Sequence, residues 1–136
     1  MTKEMQRLVW NRAFACCEYC RVPQLCTRLS FEIDHVLAEY HGGTTILDNL
    51  ALACYPCNKY KGAHLAGLDP LTGHIVRLFN PRGDEWRKHF AWNGAVLVGR
   101  TAIGRGTVAV LRMNLPLRVD FRQALIDEGV FPPNLD

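Results

Sequence analysis

A chain of 136 residues, 49% hydrophobic and 21% charged, is long enough to bury one substantial core, and its composition excludes a mainly disordered protein. No apolar run approaches the roughly 20 residues of a membrane-spanning helix, and the first residues, MTKEMQR, lack the apolar centre of a secretory signal. The expectation is a cytoplasmic protein without membrane contact, whose six cysteines stay reduced and serve as metal ligands, not disulfides. A formal net charge of +3 is by itself weak evidence for a nucleic-acid partner, so a DNA-binding surface would have to come from local clusters of Arg and Lys.

Met5, Leu8, Val9 and Ala13 recur at helical spacing behind Thr2, a good N-cap, and predict an amphipathic helix from Thr2 to about Ala15. It leads into the first of two Cys-x-x-Cys turns, Cys17-Glu-Tyr-Cys20. Residues 21–30 contain Pro23 and no clear period, and read as a loop carrying Cys26. Phe31 to Val36 alternates and is rich in strand formers, so a strand should deliver Asp34 and His35 to one end of a site. After the flexible turn at Gly42-Gly43, Asp48 to Ala53 returns as a short strand or extended segment toward Cys54-Tyr-Pro-Cys57. A short helix is expected from Tyr55 to about Gly62, with the glycine as terminator.

Beyond Leu68 the texture changes. Asp69-Pro70-Leu-Thr72-Gly73 is turn chemistry, His74 to Phe79 reads as a strand, and two more short strands fall around 89–92 and 95–99. Thr107 is expected to cap a short helix through Arg112, and Pro116 to open a helix that runs to Gly129. With no internal repeat and no long linker, the expected organisation is a core over residues 1–68 and an extension over residues 69–136 packed against it.

A tetrahedral zinc ion takes four thiolates, and each Cys-x-x-Cys turn can present two. Cys17, Cys20, Cys54 and Cys57 are therefore expected to meet around one structural Zn²⁺, closing Asp34, His35 and Asn49 into a loop beside Asn58. Phosphodiester hydrolysis needs a base to activate water and positive charge at the phosphate. His35 is available in its neutral form near pH 7. Asp34 offers a hard oxygen ligand and Asn58 an amide oxygen, a pair suited to Mg²⁺ or Mn²⁺ with open positions for water and phosphate. Lys59 and Lys61 are candidates for phosphate contacts, against the alternative of solvated lysines on a short helix.

The ordered set Cys17-x-x-Cys20, Asp34-His35, Asn49, Cys54-x-x-Cys57-Asn58-x-x-Lys61-Gly62 resembles the zinc-bearing HNH endonucleases, in an H-N-N variant. The resemblance covers residues 17–62, and a looser one to small stand-alone bacterial HNH proteins extends into the C-terminal half. It implies an α+β fold with a ββα-metal core, clamped by the Cys₄ zinc site between an N-terminal helix and a C-terminal α+β extension. It also implies a DNA endonuclease in which His35 is the general base and Asp34 and Asn58 hold one catalytic cation. Asn49 would then aim the His35 ring, and the products would carry 5′-phosphate and 3′-hydroxyl ends. Such a protein would act as a monomer or a homodimer.

A non-catalytic zinc module that binds nucleic acid or a protein is the reading from another class, although a purely structural knuckle has no need of Asp34, His35 and Asn58. A redox role for the Cys-x-x-Cys pairs fits poorly, because two pairs beside a metal-site pattern favour zinc over thiol exchange. Arg77, Arg82, Arg87, Lys88, Arg100, Arg105 and Arg112 read either as a DNA-facing stripe or as solvated surface.

Overall fold

Helix α1, Lys3–Arg12, starts where Thr2 accepts a hydrogen bond from the Met5 backbone N–H, and buries Val9 on its inner face. A computed structural model describes residues 1–135 of the chain. Trp10 of α1 stacks on Phe31 with 6.0 Å between ring centroids, and Arg12 donates to the carbonyls of Leu47 and Leu50. The first helix is thereby fixed over the strands that follow. Phe14, Ala15 and Arg21 adopt positive φ, the sharp reversals that bring the first Cys-x-x-Cys turn back onto the core.

Strands β1, Glu32–His35, and β2, Leu50–Ala53, pair antiparallel with Asp34 opposite Ala51 and His35 opposite Leu50. All four β2 residues are buried, the mark of a strand covered on both faces. Helix α2, Tyr55–Lys61, follows at once, with Pro56 in its first turn, where the missing N–H costs nothing, and it ends at Gly62 with φ +48. These three elements form the expected ββα unit.

The C-terminal half contributes two hairpins and three helices. Strands β3, Ala66–Leu68, and β4, Ile75–Arg77, pair around the Asp69–Gly73 turn. In that turn the Arg105 guanidinium grips Asp69 at 2.8 and 2.9 Å and holds its carboxyl well below the usual range. Helix α3, Trp86–His89, is a single turn that leads into strands β5, Phe90–Asn93, and β6, Val96–Gly99. Helix α4, Ala102–Val110, packs on these hairpins at backbone distance. A Cβ at Gly99 would lie 2.3 Å from the Arg105 nitrogen, and one at Gly104 would lie 2.0 Å from the His89 carbonyl oxygen. Helix α5, Pro116–Asp127, closes the fold, with Gly129 in the left-handed region just beyond.

Thr107 does not cap a helix. The cap is Thr101, whose hydroxyl accepts from the Gly104 N–H, and Thr107 is fully buried within α4, accepting from the Phe79 N–H and donating to the Ile103 carbonyl. The glycines of Ile103-Gly-Arg-Gly106 disguise a helix that needs them for close packing. Strand β3 and helix α3 are likewise absent from the sequence expectations. Their three and four residues are too few to display a period.

One hydrophobic core runs from Val9 through Leu50 and Leu52 to Phe79, Phe90, Leu97, Met113 and Phe131. Trp86 and Phe90 belong to it and Trp92 packs on it. Trp86 also donates through Nε1 to the Tyr19 carbonyl at 2.8 Å, and Arg82 pairs with Glu18. Among the described residues no helix is long and apolar enough to cross a membrane.

Candidate functional site

The two Cys-x-x-Cys turns meet because β2 connects them. Glu18 in the first turn accepts from the Leu52 N–H through its side chain and donates its own N–H to the Leu52 carbonyl, both at 2.8 Å. Cys54 is the N-cap of α2. The sulfurs of Cys17, Cys20, Cys54 and Cys57 consequently lie within 4.8 Å of one another, all buried, with Cys20 and Cys54 at 3.6 Å. Four sulfurs each about 2.3 Å from a central zinc would stand about 3.8 Å apart in a tetrahedron, so the cluster has the dimensions of a zinc site. Burial pushes the Cys17 thiol up, while hydrogen bonds from its three neighbours hold Cys20 below its ordinary value. Such a set ionises fully only around a cation.

Tyr19, inside the first Cys-x-x-Cys turn, joins a buried polar knot. Asp34, 6% exposed, accepts at Oδ2 from the Tyr19 hydroxyl at 2.8 Å and from Lys61 Nζ at 3.0 Å. Lys61 also reaches Asp34 Oδ1 at 3.3 Å and the His35 carbonyl at 3.1 Å. Burial raises the Asp34 pKa, and Lys61 and Tyr19 oppose that shift. Lys61 is only 2% exposed, so the phosphate contact expected of it is replaced by an internal ion pair. The side of α2 that carries Lys61 faces β1, and a seven-residue helix gives too little sequence to reveal that orientation.

His35 stands at the end of β1 with 17% of its side chain exposed. Its Nε2 lies 2.9 Å from the Thr45 hydroxyl, and its Nδ1 lies 3.7 Å from Glu39 Oε1. Asn49 braces the loop between them: its Oδ1 accepts from the Leu37 N–H, and its Nδ2 donates to the carbonyls of Leu37 and Thr44. Asn58 lies three residues before Lys61, hence on a neighbouring part of the α2 surface, and is partly buried. Lys59 is exposed, its ammonium 5.6 Å from the Tyr60 ring centroid. His41 donates from Nε2 to the Ala63 carbonyl, 2.9 Å away, tying the same loop to the end of α2.

Sequence reasoning missed Tyr19, Glu39 and Thr45. Glu39 follows His35 by four residues, a weak signal. Tyr19 and Thr45 carry none, since their contacts exist only after the loops have closed. Of the cationic stripe, Arg77 pairs with Asp84, Arg82 with Glu18, Lys88 with Glu85 and Arg105 with Asp69. That leaves little of it as a continuous positive surface.

A ββα unit clasped by four buried cysteines thus carries a histidine at the end of its first strand. The family model of the HNH endonuclease matches residues 17–64. That match, with the buried cysteine cluster inside it, suggests a nuclease-type function on nucleic acid with metal binding. Comparison with curated proteins gives no match. Comparison with solved structures gives none either.

Proposed function

We propose that the protein is a metal-dependent endonuclease that hydrolyses DNA phosphodiester bonds, with His35 as the general base. The observation that carries this reading is the contrast at the end of β1. Asp34 is buried while the adjacent His35 side chain keeps 17% of its surface exposed. Glu39 beside Nδ1 favours the proton on that nitrogen, which leaves Nε2 to accept. Thr45 donates to Nε2 in the resting site, and a water in place of that hydroxyl would lose its proton to the ring. Asn49 is a positioning residue, because its three hydrogen bonds go to backbone and hold the loop that carries Glu39 and Thr45.

The donor chemistry of Asp34 and Asn58 suits a hard divalent cation. Asp34 Oδ1 receives only the longer contact from Lys61, so it keeps lone-pair capacity for a ligand bond. Asp34 and Asn58 would hold Mg²⁺ or Mn²⁺, and the cation would supply charge stabilisation at the phosphate and the leaving 3′-oxygen. Lys61 moderates that arrangement, since it competes for the same carboxylate. Lys59, exposed on α2, is the cation we assign to the DNA backbone. The zinc site has no open position and serves as scaffold.

Plasmid cleavage by the purified protein with Mg²⁺, Mn²⁺ or chelator, run beside His35→Ala, tests the proposal. Metal-dependent nicking that the variant loses is the expected result. Equal behaviour of both proteins under all three conditions, with DNA still bound, would turn the assignment to a non-catalytic nucleic-acid-binding zinc module.

A further inference from the structure

The HNH segment does not enclose the cysteine cluster alone. Arg118 of α5, 61 residues beyond Cys57, donates from Nη2 to Cys57 Sγ at 3.0 Å and stands 3.9 Å from Cys54 Sγ. Its other nitrogen, Nη1, donates to the carbonyls of Leu111 at 2.8 Å and Arg112 at 3.3 Å, where α4 ends. One turn further along α5, Arg122 is 1% exposed. Its polar partners are neutral, the Ala95 carbonyl and the Asn114 side-chain oxygen, and its guanidinium lies 5.4 Å from the Trp92 ring centroid. Among the described residues, no carboxylate forms an ion pair with either arginine.

A buried guanidinium without an anionic partner is costly. The compensating charge is next door: Arg118 and Arg122 line one cavity with Cys20 and Cys54, and four thiolates around one Zn²⁺ carry about −2. One buried cation, Arg122, and one half-buried cation, Arg118, both from α5, match that charge. Arg118 is also placed to donate to a thiolate, a charge-assisted bond stronger than one to a neutral thiol. It holds the sulfur of α2 with one nitrogen and the carboxyl end of α4 with the other.

We infer that Arg118 and Arg122 complete the zinc site as its counter-cations, so that the seating of α5 depends on bound metal and the retention of metal depends on α5. The C-terminal half thus senses zinc occupancy in the HNH domain. The inference stands on the cluster and α5 alone, and holds whether or not His35 cleaves DNA.

The experiment uses the full chain loaded with Zn²⁺ or, for spectroscopy, with Co²⁺. Arg118→Gln should surrender zinc to a competing chelator about 10–100-fold more readily, the range for loss of an outer-shell partner of a metal ligand. Its thiolate-to-cobalt charge-transfer absorption should shift, because one N–H···S bond is gone. With zinc bound, amide exchange should rise across residues 116–127 and not in α1. A folded Arg118→Gln with unchanged zinc retention and an unchanged cobalt spectrum overturns the inference. Should that variant fail to fold, Arg118→Lys keeps the charge but not the two-pronged geometry. Zinc retention weaker than in the parent protein supports the assignment, and retention and spectrum identical to the parent protein overturn it.

Discussion

The cysteine cluster and the His35 site lie on the same ββα unit, yet they are built on opposite principles. Around the sulfurs the site is buried: Cys17, Cys20 and Cys57 have no exposed surface, and Arg118 donates to Cys57. Around His35 the scaffold is closed and the ring is open. Asp34, Lys61 and Tyr19 form a buried knot behind it, while Glu39, Tyr40 and Thr45 in front are exposed. Enclosure converts metal binding into folding free energy, whereas exposure would keep the proposed base in contact with water. The two regions should therefore fail differently when they are broken.

The largest expected effect is on the closed side. Cys54→Ser removes a ligand from a kind of site whose zinc contributes on the order of 10 kcal/mol or more to folding. It should yield a chain without zinc and without cooperative thermal unfolding by circular dichroism. A stable, zinc-free and active variant would contradict the scaffold assignment. His35→Ala should sit at the other pole, with the melting temperature within a few degrees of the parent and cleavage reduced by about 10²–10⁴. Plasmid nicking rates and a thermal scan on the same preparation separate the two classes of failure.

Lys61 lies on the boundary between them. Lys61→Met strands the buried Asp34 carboxylate, and the expected loss is about 3–5 kcal/mol of stability by denaturant unfolding. Adding Asp34→Asn should recover much of that loss by removing the orphaned charge. If Lys61→Met alone were neutral, the ion pair would not hold β1 against α2. The smallest effect is expected at the N-terminus, away from both sites. Thr2→Ala removes the α1 cap and should cost about 1 kcal/mol, read as a small shift in unfolding midpoint with zinc content unchanged.

Features legible in the sequence were those encoded by neighbours. The Cys-x-x-Cys turns, the alternation of Phe31 to Val36 and the Pro56 and Gly62 boundaries of α2 each act over a few residues, and β1, β2 and α2 follow from them. Where local signals conflicted, the reading failed. Gly104 and Gly106 spoke against a helix that packing requires, and Thr107 looked like a cap although it serves as an internal bridge to Phe79.

The sequence by itself determined that four cysteines converge and that Asp34, His35 and Asn58 are carried by the ββα unit they enclose. Ligand spacing and strand register are properties of short segments. Only the tertiary structure decided which of these groups are sealed and which are open. It turned Lys61 inward to Asp34, set Glu39 and Thr45 against the His35 ring, and brought Arg118 to Cys57. Charge compensation in a buried site depends on distance in space, and no local pattern in the chain records that α5 returns to the metal cluster.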